Sequence, residues 1–563
     1  MIKRMIATSL AFFFIITSSH SQNFEWAKRI GGPGYDQDIR IAKNVHGNVH
    51  FIGSFEGTID FDPGAGISNL TSVGLLDVFI LKLDSIGNFL WAKRIGGFGN
   101  DSGVNIAVDS LGNIYTFGHF TGTADFDPGA GTSNVTSIGG TDIFVSKLDP
   151  DGTLLWVKSF GGSNYDLSSS IAIDDLGNIY MTGTFTETVD FDPGGGVSTL
   201  TSEGGADIFI LKLDSAGNFI WAKNVGGWGY EYVACITVDG TKNVHIVGSF
   251  SGTCDFDPSE ETSNLTSTSG EDAFILKLNP TGSFLWAKSL GGMYDDSGTS
   301  IVVDNSGSSY TTGYFLESIS FGPGEEKYNL SSYGKADAFI VKYDSSGNLV
   351  WATRIGANEG DTGGDIALDD DNNIYTIGSF TNGAYFGNDG GPNILSGAGL
   401  ADAYIIKLNT EGDLVWAISI GGTSYDYGSS ISIDESGNVY TTGTFRETVD
   451  FDPGGGVYTL TSEGANDRFI LKLGTLSLNI LAYNYGNAIS VYPNPTKGLL
   501  NIDLSTFYDE VNVSIVNQIG QNIQSKTFRS ISSFQTYIPG ESGIYFIEIN
   551  TGDKKAILRV VKE

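Results

Sequence analysis

The stretch Trp91-Ala92-Lys93-Arg94-Ile95-Gly96-Gly97 recurs with small variations along this chain of 563 residues. Its tryptophan returns every 65 residues, so one structural unit is written seven times. The tryptophans of this register are Trp26, Trp91, Trp156, Trp221, Trp286, Trp351 and Trp416. Such a long, regular period is typical of folds in which small units stack on one another.

Each unit contains four short runs of β-branched and aromatic residues, and none has helical spacing. In the second unit these runs are Ile106–Asp109, Ile114–Phe120, Ile143–Leu148 and Leu154–Phe160. Tight-turn sequences such as Asp149-Pro150-Asp151-Gly152 separate them. We predict one antiparallel four-stranded sheet per unit. Because so small a sheet needs neighbours on both faces, the predicted fold is an all-β, seven-bladed β-propeller.

The two ends of the repeat array predict how the ring closes. An Asp-x-Phe strand occurs in all seven units, but no tryptophan strand follows Leu473. The missing strand lies at the other end of the chain, at Phe24–Ile30. We expect this N-terminal strand to complete the seventh blade and to cover its open edge.

The first 21 residues have the organisation of a signal peptide. Lys3 and Arg4 precede an apolar core around Leu10–Ile16, and Ser19-His20-Ser21 has the small-x-small form of a cleavage site. Cleavage is expected near Ser21/Gln22, and no stretch of the chain is apolar for long enough to predict a transmembrane span. The predicted organisation is a signal peptide at 1–21, a propeller at 22–473, a linker at 474–489 and a small β-sandwich at 490–563.

The charge of the chain also divides at this linker. Residues 22–489 hold 58 acidic and 22 basic side chains, whereas residues 490–563 hold seven of each. A surface this acidic repels nucleic acid and anionic lipid and favours cations or basic partners. We therefore expect no nucleic-acid partner, and we expect a monomer.

The two cysteines, Cys235 and Cys254, both lie in the fourth unit. In an exported chain they are candidates for a disulfide, but the repeat register does not place them on obviously adjacent strands. The favoured interpretation is two unpaired, buried, small hydrophobic residues.

The repeated phrase extends beyond the tryptophan. It reads Asp-x-Phe-Ile-Leu-Lys-Leu-Asp-x-x-Gly-Asn-x-x-Trp-Ala-Lys-x-x-Gly-Gly, followed by Ile-x-Val-Asp-x-x-Gly-Asn-x-Tyr-x-x-Gly. This pattern resembles the bacterial SBBP-type β-propeller repeat over residues 24–473. The resemblance implies a fold and a secreted or surface location, and it brings no family-wide catalytic residues.

The end of the chain carries a second series of motifs. Val491-Tyr492-Pro493-Asn494-Pro495-Thr496-Lys497-Gly498 is followed by Val513–Val516, Gly520-Gln521, Gly543–Ile547 and Lys555–Lys562. The series resembles the C-terminal sorting domain of the type IX secretion system of Bacteroidetes, with Tyr492, Pro493, Asn494, Pro495 and Gly498 as its sorting motif. The resemblance implies a β-sandwich recognised by that secretion machinery and usually removed after export; the alternative is an ordinary accessory β-sandwich.

Five units contain the sequence Asp-Phe-Asp-Pro. Its aspartates are Asp60 and Asp62, Asp125 and Asp127, Asp190 and Asp192, Asp255 and Asp257, and Asp450 and Asp452. Alternate residues of a strand point to the same side, so each pair is a candidate ligand set for Ca²⁺. The competing and favoured interpretation is that each aspartate caps a turn. Units five and six replace the sequence, reading Ser320-Phe321-Gly322 and Tyr385-Phe386-Gly387.

Three other polar positions recur in every unit, and a residue needed seven times serves the repeat rather than one catalytic site. We expect them to form hydrogen bonds or ion pairs within or between blades. The first is the acid ten residues after tryptophan: Asp36, Asp101, Asp166, Glu231, Asp296, Asp361 and Asp426. The second is the strand aspartate: Asp77, Asp142, Asp207, Asp272, Asp337, Asp402 and Asp467. The third is the strand lysine: Lys82, Lys147, Lys212, Lys277, Lys342, Lys407 and Lys472.

Catalysis finds little support in the sequence. The histidines that remain after processing, His46, His50, His119 and His245, have no metal-ligand spacing and no nucleophile elbow nearby. The predicted function is a non-catalytic, extracellular protein that binds a protein or a glycan. The alternative is a hydrolase or lyase acting on polysaccharide. Departures from the repeat at Glu325–Tyr328 and Asn388–Pro392 are candidates for a binding rim.

Overall fold

The computed structural model describes residues 22–32, 39–43, 47–322, 328–387, 393–454, 456–475, 490–492, 496–517, 522–540, 543–551 and 555–562. Within these ranges the regular elements are all β-strands, which confirms the all-β prediction. The chain separates into two compact units, residues 1–475 and 476–563. The signal peptide and most of the predicted linker lie outside the described residues.

The first unit contains seven antiparallel sheets of four strands, which we call blades one to seven. In each blade the strands pair in the order inner, second, third, outer.

The inner strands are Arg40–Lys43, Asp101–Val108, Leu167–Ile173, Glu231–Val238, Ser297–Val303, Thr362–Leu368 and Tyr427–Ile433. The second strands are Val49–Phe55, Ile114–Asp125, Ile179–Phe185, Val244–Asp255, Ser309–Ile319, Ile374–Phe380 and Val439–Phe445. The third strands are Asp77–Leu83, Asn134–Leu148, Asp207–Leu213, Asn264–Leu278, Leu330–Tyr343, Asp402–Leu408 and Asp467–Thr475. The outer strands are Phe89–Gly97, Leu154–Phe160, Phe219–Gly227, Phe284–Leu290, Leu349–Gly356, Leu414–Ile420 and, for blade seven, Gln22–Ile30.

A hairpin extends each blade between its second and third strands, and in five blades it contains the Asp-Phe-Asp-Pro sequence. In blades two, four and five the hairpin continues the two long strands. In the other four blades it forms separate short strands: Thr58–Asp60 with Asn69–Thr71, Thr188–Asp190 with Thr199–Thr201, Ala384–Phe386 with Asn393–Leu395, and Thr448–Asp450 with Thr459–Thr461.

The inner strands form a closed ring. Each one contacts the inner strand of the next blade, and the ring is completed by contact between blades seven and one. The third strand of each blade is covered on both faces by neighbouring blades. This explains why its sequence is mainly apolar, and Asp77–Leu83 and Asp207–Leu213 are buried at every residue. The radial arrangement expected of a propeller is confirmed.

The N-terminal strand closes blade seven as predicted. Gln22–Ile30 pairs antiparallel with Asp467–Thr475, and Trp26 stands opposite Lys472. The same pairing of tryptophan with lysine joins the outer and third strands of the other blades, for example Trp91 with Lys82. Arg29 adds an ion pair of 2.7 Å to Asp467. The first and last strands of the ring are therefore held together by the same contacts as the strands of a continuous blade.

The repeated tryptophan and lysine join most blades to the next. Trp351 Nε1 donates a hydrogen bond of 3.3 Å to the carbonyl of Thr410, which lies in the outer turn of blade six. The indole also packs on Gly412 of that turn, where φ is +87° and a Cβ would lie 2.9 Å from the ring. Lys82 Nζ donates to the carbonyl of Pro150 in blade two in the same way, over 2.7 Å. The predicted ties between blades are present.

The second unit is one five-stranded antiparallel sheet around its own apolar core. Its strands are Ser490–Tyr492, Leu499–Asn517, Asn522–Tyr537, Gly543–Asn550 and Lys555–Lys562. Hydrogen bonds connect all five strands into a single sheet, so the two-layer sandwich remains a prediction.

Two smaller expectations concern membranes and cysteines. No helix of the described residues is long and apolar enough to cross a membrane. Cys235 and Cys254 are both free, which confirms the unpaired interpretation. Cys254 is buried in the core of blade four, and burial raises the pKa of its thiol.

Candidate functional site

The two ends of each blade carry different connections. Because neighbouring strands are antiparallel, the tight turns after the inner and third strands lie at one end. The Asp-Phe-Asp-Pro hairpin and the loop leading to the next blade lie at the other end. This second end is where the repeats differ most in side-chain character.

Large apolar side chains are exposed on the loops between blades and on the first residues of the inner strands. Trp228 is 87% exposed and Phe98 is 82% exposed. We call this surface the aromatic loop face. It consists of Phe98, Tyr165, Trp228, Tyr230, Tyr232, Met293, Tyr294, Tyr425 and Tyr427.

The buried acid of each loop explains why these rings point outward. Glu231 is fully buried and stands between Tyr230 and Tyr232, so both tyrosines face solvent by strand alternation. Asp426 separates Tyr425 from Tyr427 in the same way, and these two rings stack with centroids 6.2 Å apart. The buried acid thus holds the loop in place, and its neighbours present their rings to solvent.

The acids hold the loops through backbone hydrogen bonds. Asp426 accepts one from the N–H of Gly422 over 2.7 Å and another from the N–H of Arg446 over 3.0 Å. Asp166 accepts the equivalent bonds from Gly162 and Thr186. Burial raises the pKa of Asp166 and Asp426 to about 6. These contacts are the structural ties expected from the sevenfold acid.

The aromatic loop face is not symmetric around the ring. It is densest where blade three meets blade four, because Trp228, Tyr230 and Tyr232 all lie there. The loop Glu203–Gly205 packs against them: a Cβ on Gly204 would lie 2.8 Å from the Cα of Trp228. The equivalent loop after blade five, residues 358–360, carries no aromatic side chain. One sector of the ring is therefore specialised.

A ring of dissimilar side chains lines the axis, and in blades two to seven each of them follows a bulge in the inner strand. Its members are 65 residues apart, so this register could have been recognised from the sequence. They are Arg40, Asn105, Ser170, Cys235, Ser300, Asp365 and Ser430.

Neighbouring members of this ring bond to each other. Ser300 Oγ donates to Asp365 over 2.6 Å, and Ser430 Oγ donates to its other oxygen over 2.9 Å. Asn105 donates to Ser170 over 3.3 Å. Burial raises the pKa of the Cys235 thiol, so it is not a thiolate nucleophile at neutral pH. These hydrogen bonds join neighbouring blades around the axis.

The three described histidines, His50, His119 and His245, have lowered pKa values because the protein shields them from solvent. Burial lowers the pKa of His50 to about 3 and that of His119 to about 4, and it also lowers that of His245. His119 Nδ1 lies 3.1 Å from Ser168 Oγ in the next blade, which is a structural contact. His46 lies outside the described residues. A general base poised near neutral pH is absent among these three histidines.

The Asp-Phe-Asp-Pro aspartates cap the turns of their hairpins. Asp125 Oδ1 accepts hydrogen bonds from the N–H of Asp127 and of Ser133, and Asp127 Oδ1 accepts one from Gly129. Asp60, Asp190, Asp255 and Asp450 make the same pair of backbone contacts. The second aspartate of each hairpin accepts a hydrogen bond from the backbone N–H two residues later, as seen for Asp62, Asp192, Asp257 and Asp452.

This geometry supports the capping interpretation. No group of three or more His, Cys, Asp or Glu side chains suited to a metal occurs in the part of the chain that the structure describes. Ca²⁺ binding by these hairpins therefore remains a prediction. Of the candidate rim, residues 325–327 and 388–392 lie outside the described residues.

The sorting motif is described only in part. Tyr492 ends the first strand of the second unit, and Pro493–Pro495 lie outside the described residues. Gly498 has φ of +118°, and a Cβ there would lie 2.6 Å from the ring of Tyr537. Its carbonyl accepts a hydrogen bond from the N–H of Ile538 over 2.8 Å. Glycine is required at this position by both backbone angle and space.

Comparison with known protein families matches both units. The beta-propeller repeat SBBP matches residues 90–124, 155–184, 350–387 and 415–444. The secretion system C-terminal sorting domain matches residues 490–563.

Two curated proteins are similar to the chain at low identity. An uncharacterized WD repeat-containing protein of Acanthamoeba polyphaga mimivirus is 24% identical over 500 residues, covering 75% of this chain and 36% of that protein. Regulatory protein FlaEY of Caulobacter vibrioides is 25% identical over 454 residues, covering 76% of this chain and 45% of that protein. The chain spans less than half the length of each relative.

Two solved structures are similar to the chain at low identity and low TM-score. A Bacteroides caccae protein of unknown function is 10% identical, with a TM-score of 0.29, over 71% of this chain and 94% of its own. A Bacillus licheniformis rhamnogalacturonan lyase is 12% identical, with a TM-score of 0.23, over 95% of this chain and 91% of its own. Scores this low carry no argument about the site.

The sequence repeats, the closed ring of sheets and the family matches agree. The chain carries SBBP-type β-propeller repeats followed by a secretion system C-terminal sorting domain, and this sorting domain supports a secreted or cell-surface location.

Proposed function

We propose that this protein is a non-catalytic extracellular binding protein whose ligand is a neutral glycan held on the aromatic loop face. The observation that carries the proposal is the exposed cluster of Trp228, Tyr230 and Tyr232. Clusters of exposed rings on a rigid soluble scaffold mark binding surfaces. Trp and Tyr provide a large, stiff contact area at low entropic cost.

The surroundings of the cluster favour a glycan. A sugar presents C–H groups on one face, which stack on aromatic rings, and hydroxyl groups at its edges. Exposed carboxylates close to the rings in the chain can accept hydrogen bonds from such hydroxyls: Glu203 precedes Gly204, which packs on Trp228, and Asp295 follows Tyr294. The net negative charge of the propeller disfavours an anionic polysaccharide, so a neutral glycan is the better match.

The non-catalytic part rests on the lack of a suitable base or nucleophile at this face. Several acids of the loops are buried and accept backbone hydrogen bonds, as Asp426 does. Burial raises the pKa of Glu231 to about 7, but its side chain is fully shielded from solvent and therefore from a ligand lying on the exposed rings. The described histidines are buried structural residues. Rigid positioning of rings without a reactive group supports binding rather than turnover.

The test uses the mature chain, residues 22–563, on an array of neutral and acidic glycans, followed by calorimetry with the best neutral ligand. Trp228→Ala should weaken binding roughly tenfold or more, as for a central aromatic anchor. Leu111→Ala is the matched control, because Leu111 is 79% exposed on a turn at the opposite end of its blade.

Equal effects of the two substitutions would show that the aromatic loop face is not the site. Binding only to proteins or to acidic glycans would contradict the neutral-glycan ligand. Release of shorter or unsaturated sugar fragments by the unmodified protein would contradict the non-catalytic assignment.

A further inference from the structure

Pairs of acidic side chains are buried where neighbouring blades meet. Each pair consists of the strand aspartate of one blade and the acid that precedes or begins the inner strand of the next blade. We call them the carboxylate pairs. In the described residues they are Asp77 with Asp101, Asp142 with Asp166, Asp207 with Glu231, Asp272 with Asp296, Asp337 with Asp361, and Asp402 with Asp426. Each of these side chains belongs to a residue that is at most 2% exposed.

In blade one both members of the pair lie beside one glycine. A Cβ on Gly96 would lie 2.7 Å from Asp77 Oδ1 and 3.0 Å from Asp101 Oδ2. The equivalent Gly291 would place its Cβ in overlap with the Asp272 carboxylate. The first glycine of the Gly-Gly phrase is thus required by the carboxylates. The strand aspartate of each pair occupies the space that a side chain at this glycine would take.

In six of the seven strand aspartates one oxygen is buried without a hydrogen-bond partner. This holds for Oδ1 of Asp77, Asp142, Asp207, Asp272, Asp337 and Asp402. In blade one a Cβ on Gly96 would lie close to both this oxygen and Asp101 Oδ2. A buried oxygen without a partner loses the hydration that it would have in water, and a second acid facing it raises the cost further.

In three blades an arginine supplies a compensating charge. Arg94 contacts Asp77 over 2.6 Å, and Arg354 lies 3.4 Å from Asp337. Arg29 contacts Asp467 over 2.7 Å. All three arginines lie three residues after the tryptophan. The fold therefore admits a cation beside the strand aspartate at this register.

In the other four blades the same register holds a small neutral residue. These residues are Ser159, Asn224, Ser289 and Ser419. Ser289 Oγ donates a hydrogen bond of 3.1 Å to Asp272, which provides no charge. Among the described residues no ion pair reaches the four pairs that lack arginine. They are Asp142 with Asp166, Asp207 with Glu231, Asp272 with Asp296, and Asp402 with Asp426.

A cleft gives solvent access to one of these pairs. It has a volume of about 740 Å³, and Asp272, Ser289 and Gly291 line it. The equivalent cleft between blades seven and one has about 480 Å³ and is lined by Arg29. In the cleft beside Asp272, where arginine is absent, the strand aspartate is itself part of the lining.

We propose that the carboxylate pairs without arginine bind a divalent cation of the Ca²⁺ class, with Asp272 and Asp296, the pair whose strand aspartate lines a cleft, as the first site to test. A hard cation prefers carboxylate oxygens and accepts water as the remaining ligands. One divalent ion balances the two carboxylates, and in the other blades arginine performs part of this role. These sites are distinct from the Asp-Phe-Asp-Pro hairpins, whose aspartates cap turns.

The test compares the mature chain with Ser289→Arg, which copies the arrangement of Arg354 and Asp337. Both proteins are stripped with EDTA and titrated with Ca²⁺ by calorimetry, while melting temperature is recorded. The unmodified chain should bind Ca²⁺ and melt at a higher temperature with it. Ser289→Arg should bind one equivalent less and should melt higher than the unmodified chain in EDTA.

Two controls separate this proposal from its competitors. Asp125→Asn with Asp127→Asn alters a hairpin and should leave the number of bound ions unchanged. NaCl at matched ionic strength measures general screening. The proposal is overturned if Ser289→Arg binds as many ions as the unmodified chain, or if NaCl reproduces the whole stabilisation. It is also overturned if Ca²⁺ does not bind and only pH alters the melting temperature, since the pairs would then hold a proton.

Discussion

Lys472 Nζ in blade seven donates a hydrogen bond of 2.9 Å to the carbonyl oxygen of Ser85 in blade one. The two residues are 387 positions apart, yet the bond is the one that Lys277 makes to Ser345 between blades four and five. Blade seven has no turn between its third and outer strands. Lys407 of blade six accordingly bonds to Asp369 in its own blade instead, over 3.2 Å. The ring is thus closed by the same lysine contact that joins most of its other blades.

Removal of residues 22–30 should destabilise the first unit severely. Blade seven would lose its outer strand, the buried Trp26 and the ion pair of Arg29 with the buried Asp467. An unpaired sheet edge would also be exposed. Thermal unfolding of the truncated and intact chains measures the effect. Equal melting temperatures would contradict the closure.

Trp351→Ala should cost about 3 kcal/mol, the usual range for loss of a large aromatic side chain from a packed site. The indole covers Gly412 and bonds to Thr410 of the next blade. Val350→Ala is the control, because the neighbouring side chain is 40% exposed and should cost under about 1 kcal/mol. Denaturant unfolding gives both values. Similar losses in the two variants would exclude a role for the tryptophan in joining blades.

Asp190→Ala should destabilise blade three by about 1 kcal/mol, since the cap of its hairpin is lost. Asp190 Oδ1 accepts bonds from Asp192 N over 3.1 Å and from Ser198 N over 2.8 Å. Asp190→Asn keeps an oxygen acceptor and should cost much less. If both substitutions were equally damaging, negative charge would matter more than the cap, as a Ca²⁺ ligand would require.

Stability in EDTA should fall as pH rises from about 5 to about 7, because the carboxylate pairs hold protons more tightly when folded. Burial raises the pKa of Asp101 to about 6 and that of Asp296 and Asp361 to about 7, above their unfolded values. Their contribution is complete below the unfolded pKa and is lost as pH rises through the folded pKa.

The buried histidines act in the opposite direction, because their folded pKa values are lowered. The three described histidines are outnumbered by the carboxyl groups with raised pKa values, so the net change should be a fall. Differential scanning calorimetry across this interval is the measurement. A melting temperature that stays level or rises would show that these pairs do not take up protons on folding.

Deletion of residues 490–563 should leave the propeller folded and stop its export across the outer membrane. The two units are compact separately, and the matched sorting domain lies entirely in the second. Circular dichroism of the purified propeller and surface labelling of cells test the two halves of this expectation. Normal surface display of the truncated chain would contradict the sorting role.

Much of the architecture is written locally in the sequence. The 65-residue spacing of tryptophan determined the number of units, and alternating apolar runs with turn residues determined four strands in each. Even the closure of the ring followed from counting strands at the two ends, because Phe24–Ile30 supplies the only tryptophan strand left over. Strand patterns and turn sequences depend on residues that are close together in the chain, so they can be recognised without knowledge of the fold.

The contacts between blades were decided by the tertiary structure alone. Asp77 and Asp101 are 24 positions apart, and the sequence shows them as two separate repeated acids. Packing of one blade on the next places both carboxylates over Gly96 and leaves one oxygen of Asp77 without a partner. The outward direction of Trp228 and Tyr230, and the ring of Ser300, Asp365 and Ser430 at the axis, depend on the same packing. Distances between sheets follow from how their buried faces fit together, which no local pattern encodes.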